Sequence, residues 1–233
     1  MWIDTMKQWD NMTRNPLWKG KALSFLARSR QELWGKHNED ILSWFFLNGF
    51  RNNFIQDMLL GWNRRAKQRP AKNWGFQAED STTCDSPNLF FPPGIVIPYV
   101  VDQNIEKLLV YNHECERGNP CHIVPGSSSA SMILGEKNNR VALVQNIMHA
   151  LLLYQEFPAH LTIIVPDDNK HPYLDCKDLC SESLSEMLVF PEPFRDPATQ
   201  SDLMMDKPGI PHRIIHYKNP EEIIEWVRKE NIL

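Results

Sequence analysis

From residue 140 onward the chain alternates between short apolar runs and helical ones. Val141-Ala142-Leu143-Val144, Leu161–Val165 and Met187–Phe190 are apolar almost without interruption, and His212–His216 has the length of a fourth strand. Runs of four or five apolar residues with no polar alternation mark strands covered on both faces, the condition of a parallel sheet between helices. The intervening segments supply the helices. Residues 146–155 have helical spacing, and residues 175–186 read as a polar surface helix. The closing Asn219-Pro220-Glu221-Glu222-Ile223-Ile224-Glu225-Trp226-Val227 begins with an N-cap, a proline at the first helical position and acids in the first turn; each complements the unpaired N–H groups there. The expected fold class is therefore α/β, with a mainly parallel sheet flanked by helices over residues 140–233.

Two regions of different character precede it. Residues 1–75 hold 13 Lys/Arg against 6 Asp/Glu, a balance of +7, and seven of the eight tryptophans. Leu17, Trp18, Ala22, Phe25, Leu26 and Leu33 recur at helical intervals, as in an amphipathic helix. A second helix is expected to start at Asn38-Glu39-Asp40 and end at Asn48-Gly49, and a third to run over residues 52–60 up to Gly61. Residues 76–139 read as a short β-rich connector: residues 64–93 show little periodicity, then Gly94–Val101 and Ile105–Tyr111 form a hairpin across Asp102-Gln103-Asn104. Residues 76–233 carry 12 Lys/Arg against 23 Asp/Glu, a balance of −11. Opposite charge in the two parts implies two functional regions.

The bulk numbers exclude several classes. A chain of 233 residues, 42% hydrophobic and 23% charged, is neither disordered nor fibrous. No apolar run is long enough for a membrane span, and residues 1–10 show no signal core. Five scattered cysteines favour a reducing compartment, so a cytoplasmic protein without membrane contact is expected. Serine triads, phosphate-cradling glycine loops and dinucleotide fingerprints are not found.

Three sets of residues carry candidate chemistry. Between Trp62 and Trp74 stand Arg64, Arg65, Lys67, Arg69 and Lys72 with no acid among them. Cations attract phosphates and indoles stack on unpaired bases, so these seven residues form the candidate nucleic-acid surface; the alternative is a solvated basic loop anchored by its tryptophans. His113, Cys115, Cys121 and His122 bring zinc-type ligands close in sequence, without paired-cysteine spacing; Cys176 and Cys180, one helical turn apart, could join them. Asp167-Asp168 follows a strand end, where open α/β sheets often place function, although a turn rich in Asp and Asn has the same composition.

The order of these pieces resembles the Toprim-containing DNA primases of bacteria, phages and plasmids. Phe46-Leu47-Asn48-Gly49-Phe50, then Leu60-Gly61-Trp62-Asn63, Asn73-Trp74-Gly75, Gly94-Ile95-Val96-Ile97-Pro98-Tyr99, Gly126-Ser127 and Val141–Leu151 match that family's succession over roughly residues 15–230. The resemblance implies a Toprim domain and a role in DNA replication or a mobile genetic element. An active Toprim site holds Mg²⁺ or Mn²⁺ on a glutamate after the first strand and on a later Asp-x-Asp, because hard cations require carboxylate oxygens. Here the corresponding positions are Gln145, Asn146, Ile147 and His149, and the Asp-x-Asp falls near Phe190-Pro191-Glu192-Pro193, where Glu192 is the sole acid. Nor does the chain show two Cys/His pairs at the spacing of the family's zinc-binding module.

The resemblance with these departures implies a catalytically degenerate relative. It would bind single-stranded or primed DNA, or replication proteins, without a metal cofactor. Two other readings stand beside it: an active primase or nucleotidyl transferase using Mg²⁺ or Mn²⁺, with Asp167, Asp168 and Glu192 rebuilding the site, and a pure protein-interaction scaffold.

Overall fold

The described strands of this chain fall into three separate sheets. A computed structural model describes residues 16–36, 38–76, 88–115, 120–136, 138–166, 186–191 and 212–230, and the chain divides into one unit over Met1–Ser129 and another over Ala130–Leu233.

In the first unit the apolar stripe of the N-terminal region does become a helix, α1 (Pro16–Leu33), burying Trp18, Ala22, Phe25, Leu26 and Leu33. Helices α2 (Glu39–Leu47) and α3 (Asn52–Asp57) follow. Strands β1 (Gly61–Asn63), β4 (Gly94–Val101), β5 (Asn104–Tyr111) and β6 (Cys121–Ile123) form an antiparallel sheet in the order β1-β4-β5-β6. The expected hairpin turns through Asp102 and Gln103, both at positive φ, as a two-residue connection matched to strand twist requires.

The stretch expected to be loop is more ordered than its sequence indicates. Residues 64–93 contain β2 (Lys67–Pro70) and a 3-10 turn over Ala71–Trp74. β2 pairs antiparallel with β3 (Asn88–Phe91), Lys67 opposite Phe91 and Arg69 opposite Leu89. No apolar alternation announces β2, because its residues are charged, polar or proline and its partner lies some twenty positions along the chain. Its strand character comes from the pairing itself. Around this ribbon Phe25, Trp74, Leu89, Phe91, Val96, Leu108 and Val110 share one buried cluster with Trp18.

The second unit is a five-stranded sheet in the order β11-β10-β8-β9-β7, comprising β7 (Met132–Leu134), β8 (Arg140–Val144), β9 (Thr162–Val165), β10 (Glu186–Phe190) and β11 (His212–Ile214). The four strands foreseen in the sequence run parallel, with Phe190 level with Val144. Strand β7 joins the far edge antiparallel to β9. Its residues fell within the expected connector, but hydrogen bonding to β9 takes them into the second unit. Helices α4 (Ile147–Glu156) and α5 (Pro220–Lys229) pack on each other, and α4 also packs on β8 and β9. Asn219 caps α5 by accepting from the Glu222 N–H, as its sequence predicts. The surface helix expected over residues 175–186 lies outside the described residues apart from Glu186, which opens β10.

Candidate functional site

The connection from β8 leads through α4 to β9 on one side, while β10 lies on the other side of β8 and leads away to β11. The carboxyl ends of β8 and β10 therefore form the topological switch point, where open α/β sheets leave a crevice for ligands. Gln145 stands there, its N–H donating to the Phe190 carbonyl at 3.3 Å. The Asn146 side-chain oxygen accepts from the N–H groups of Met148 and His149, at 2.9 and 3.3 Å, and so caps α4. Ile147 is buried. His149 shares a hydrogen bond between its Nδ1 and the Tyr217 hydroxyl at 2.9 Å, and its ring meets the Tyr217 ring edge-on. Burial pushes the His149 imidazole down to about 4, so it is neutral near pH 7.

These residues do not fit a divalent metal. Gln145 offers an amide, Asn146 is committed to a helix end, Ile147 has no donor and His149 is committed to Tyr217. Hard cations displace water for carboxylates far more readily than for amides. Pro191 is the last described residue beyond β10; Glu192, Asp167, Asp168, Cys176 and Cys180 lie outside the described residues. Glu221 and Glu222 open α5, and the Glu222 carboxylate accepts the Lys218 N–H at 2.8 Å. Among the described residues, no three His, Cys, Asp or Glu side chains gather as a metal would require. Pairing of β5 with β6 sets Cys121 opposite Tyr111 and His122 opposite Val110, so Cys121 and His122 point to opposite faces. His113 instead meets the Trp44 ring and His122 the Phe90 ring, and burial lowers the pKa of both.

The first unit holds a different kind of site. Lys21, Ser24, Phe25 and Arg28 of α1, Lys67 and Arg69 of β2, and Asn73 and Trp74 of the 3-10 turn line a groove of about 540 Å³. Among the described residues, four cations and no acid line it. Lys67 and Arg69 belong to the basic stretch marked in the sequence; Lys21 and Arg28 were missed. Their signal was the spacing of residues 21, 24, 25 and 28, which shares one helical face, yet only the fold sets that face beside β2. Arg64, Arg65 and Lys72 are exposed near this ribbon.

The two tryptophans that bracket the stretch differ in burial. Trp74 is 5% exposed and packs on Phe91, ring centroids 5.0 Å apart. Phe25 packs on the same ring at 4.7 Å. Trp62 lies in β1 opposite Ile95, half-buried. The indole of Trp74 is a core side chain with little face left for a base, because the short ribbon needs a large apolar side chain beneath it.

No protein-family model matches this chain, and no curated protein matches it by sequence. Solved structures do. A DNA primase domain from Pseudomonas aeruginosa superposes with a TM-score of 0.64 at 12% identity, over 92% of this chain and 75% of that one. The RNA polymerase domain of Mycobacterium tuberculosis primase DnaG, in complex with a double-stranded DNA oligomer bearing a 6-nucleotide overhang, gives 0.64 at 9% identity, over 95% and 80%. A DnaG primase catalytic domain bound to single-stranded DNA gives 0.60 at 13% identity, over 93% and 75%. At such identity the likeness establishes fold and not activity: the chain has the mixed α/β, Toprim-like fold of the bacterial DnaG primase catalytic domains.

Proposed function

We propose that this protein is a primase-related chain of DNA replication or of a mobile genetic element that binds single-stranded or primed DNA without making primers. The observation that carries this reading is the groove of Lys21, Arg28, Lys67 and Arg69, four cations on two adjacent elements with no acid among the described lining residues. Such a surface neutralises successive phosphates of a polynucleotide and releases their counterions. That the fold neighbours include primase domains with bound DNA supports the same ligand class.

The second unit supports catalytic silence. Primer synthesis by this fold would require charge at the switch point to place a divalent metal and offset charge on leaving pyrophosphate. The described residues there are an amide, a helix cap, an isoleucine and a neutral imidazole. The reading accordingly includes no resident Mg²⁺ or Mn²⁺. No described helix is long and apolar enough to cross a membrane, and a cytoplasmic site of action belongs to the same proposal.

Two measurements test it. Fluorescence anisotropy with labelled single-stranded DNA is expected to show log affinity falling steeply with log salt; no binding at low salt would favour a scaffold for replication proteins. A primer-synthesis assay in Mg²⁺, and separately in Mn²⁺, is expected to be blank. Primers that vanish when Asp167, Asp168 and Glu192 are neutralised would establish an active primase.

A further inference from the structure

Helix α1 carries four cations and one acid, Glu32, and that acid stands in its last turn. A carboxylate is disfavoured there, since the helix C-terminus is the negative end of the macrodipole. Both of its oxygens are engaged. Oε1 accepts from the Lys67 Nζ at 2.9 Å, and Oε2 accepts from the Arg64 N–H at 3.2 Å. Lys67 lines the basic groove, and its ammonium also lies 5.8 Å from the Phe25 ring centroid. Of the groove's four cations, Lys67 alone is held by a carboxylate among the described residues.

We infer that Glu32 is a built-in competitor for the phosphate of a bound polynucleotide, keeping Lys67 neutralised until an anion displaces it and so weakening the groove's grip. This rests on the nucleic-acid reading of the groove and specifies which residue tunes it. Glu32 spends on Lys67 the charge that a phosphate would otherwise meet. An entering phosphate must share or break a pair whose lysine side chain is only 18% exposed. Three cations therefore act at full charge, and the fourth acts only when Glu32 is neutral or released. Glu32→Gln removes the charge while keeping an oxygen able to accept the Arg64 N–H. It also relieves the unfavourable dipole contact, so the fold is not endangered.

The experiment is anisotropy of a labelled oligothymidylate with the full chain across a salt series, comparing parent, E32Q, K67A, R69A and E32Q/K67A, with K21A/R28A/R69A alongside. E32Q is expected to bind about fivefold tighter at low salt, the order of one partly exposed ion pair, with a salt slope steeper by about 0.7, the share of one phosphate on a single strand. K67A is expected to cost less than about twofold in the parent and about fivefold in the E32Q background. Weaker or unchanged binding by E32Q overturns the inference. So does a K67A cost that is equal in both backgrounds, or one in the parent that matches R69A. If K21A/R28A/R69A binds as the parent does, the groove reading itself has failed, a result distinct from the others.

Discussion

The Nδ1 of His149 lies 2.9 Å from the Tyr217 hydroxyl, tying the first turn of α4 to the segment between β11 and α5. This contact has a thermodynamic signature. An imidazole held near 4 in the folded chain titrates near 6.5 once unfolded. Between those values the unfolded chain binds the extra proton, so the stability from a neutral His149 is fully present above pH 6.5 and is lost as pH falls toward 4. The loss amounts to roughly 3 kcal/mol. Urea titrations from pH 7 to about 4 are expected to show this decline, and H149Q to flatten it. Y217F, which leaves a buried ring nitrogen without its partner, is expected to cost about 1 kcal/mol at pH 7.

Restoring one acid does not rebuild the metal site. Gln145→Glu is expected to bind neither Mg²⁺ nor Mn²⁺ in calorimetric titration, because Asn146, Ile147 and His149 still offer no carboxylate beside it. Asn146→Ala is expected to lower stability by about 1 kcal/mol, since the side chain caps α4 through two N–H groups. Measurable metal binding by Q145E would mean that acids beyond the described residues reach this strand end.

For the groove, K21A/R28A/R69A is expected to weaken single-stranded DNA binding at least about tenfold and to flatten the salt slope by about 2, three phosphates on a single strand. Replacing Arg64 and Arg65, which are exposed but outside the groove lining, is expected to flatten it less. W74A is expected to show as lost stability, on the order of 3 kcal/mol or more, because Trp74 is part of the buried cluster. A large loss of affinity from a still-folded W74A would restore base stacking to that residue.

Gly126 is tightly confined beside the N-terminal helix of the first unit. It sits at φ +86°, and a Cβ there would meet the Trp18 ring at 2.5 Å, while the Trp18 Nε1 donates to the Pro125 carbonyl at 2.8 Å. Gly126→Ala combines a left-handed backbone with an overlap against a buried indole, so a loss of about 3 kcal/mol in a denaturant titration is expected. Trp18→Phe, which removes only the hydrogen bond and part of the ring, is expected to cost less.

How much of this was legible in the chain differs between its parts. Strands β8, β9, β10 and β11 and the cap of α5 could be read because their signals are local: a buried parallel strand must be apolar on both faces, and a helix start needs its N-cap within three residues. That Gln145, Asn146, Ile147 and His149 bring no carboxylate was equally plain, since it needs only the residues that follow a strand. Tertiary structure decided the rest. It made β2 a strand by pairing it with β3, moved β7 into the second sheet, and turned Trp74 from a stacking platform into core. It also joined Lys21 and Arg28 to Lys67 and Arg69, residues some forty positions apart, and set Glu32 against Lys67. Cross-strand hydrogen bonds and charge pairs of that span leave no period in the sequence; they arise only when the chain's own core brings the elements together.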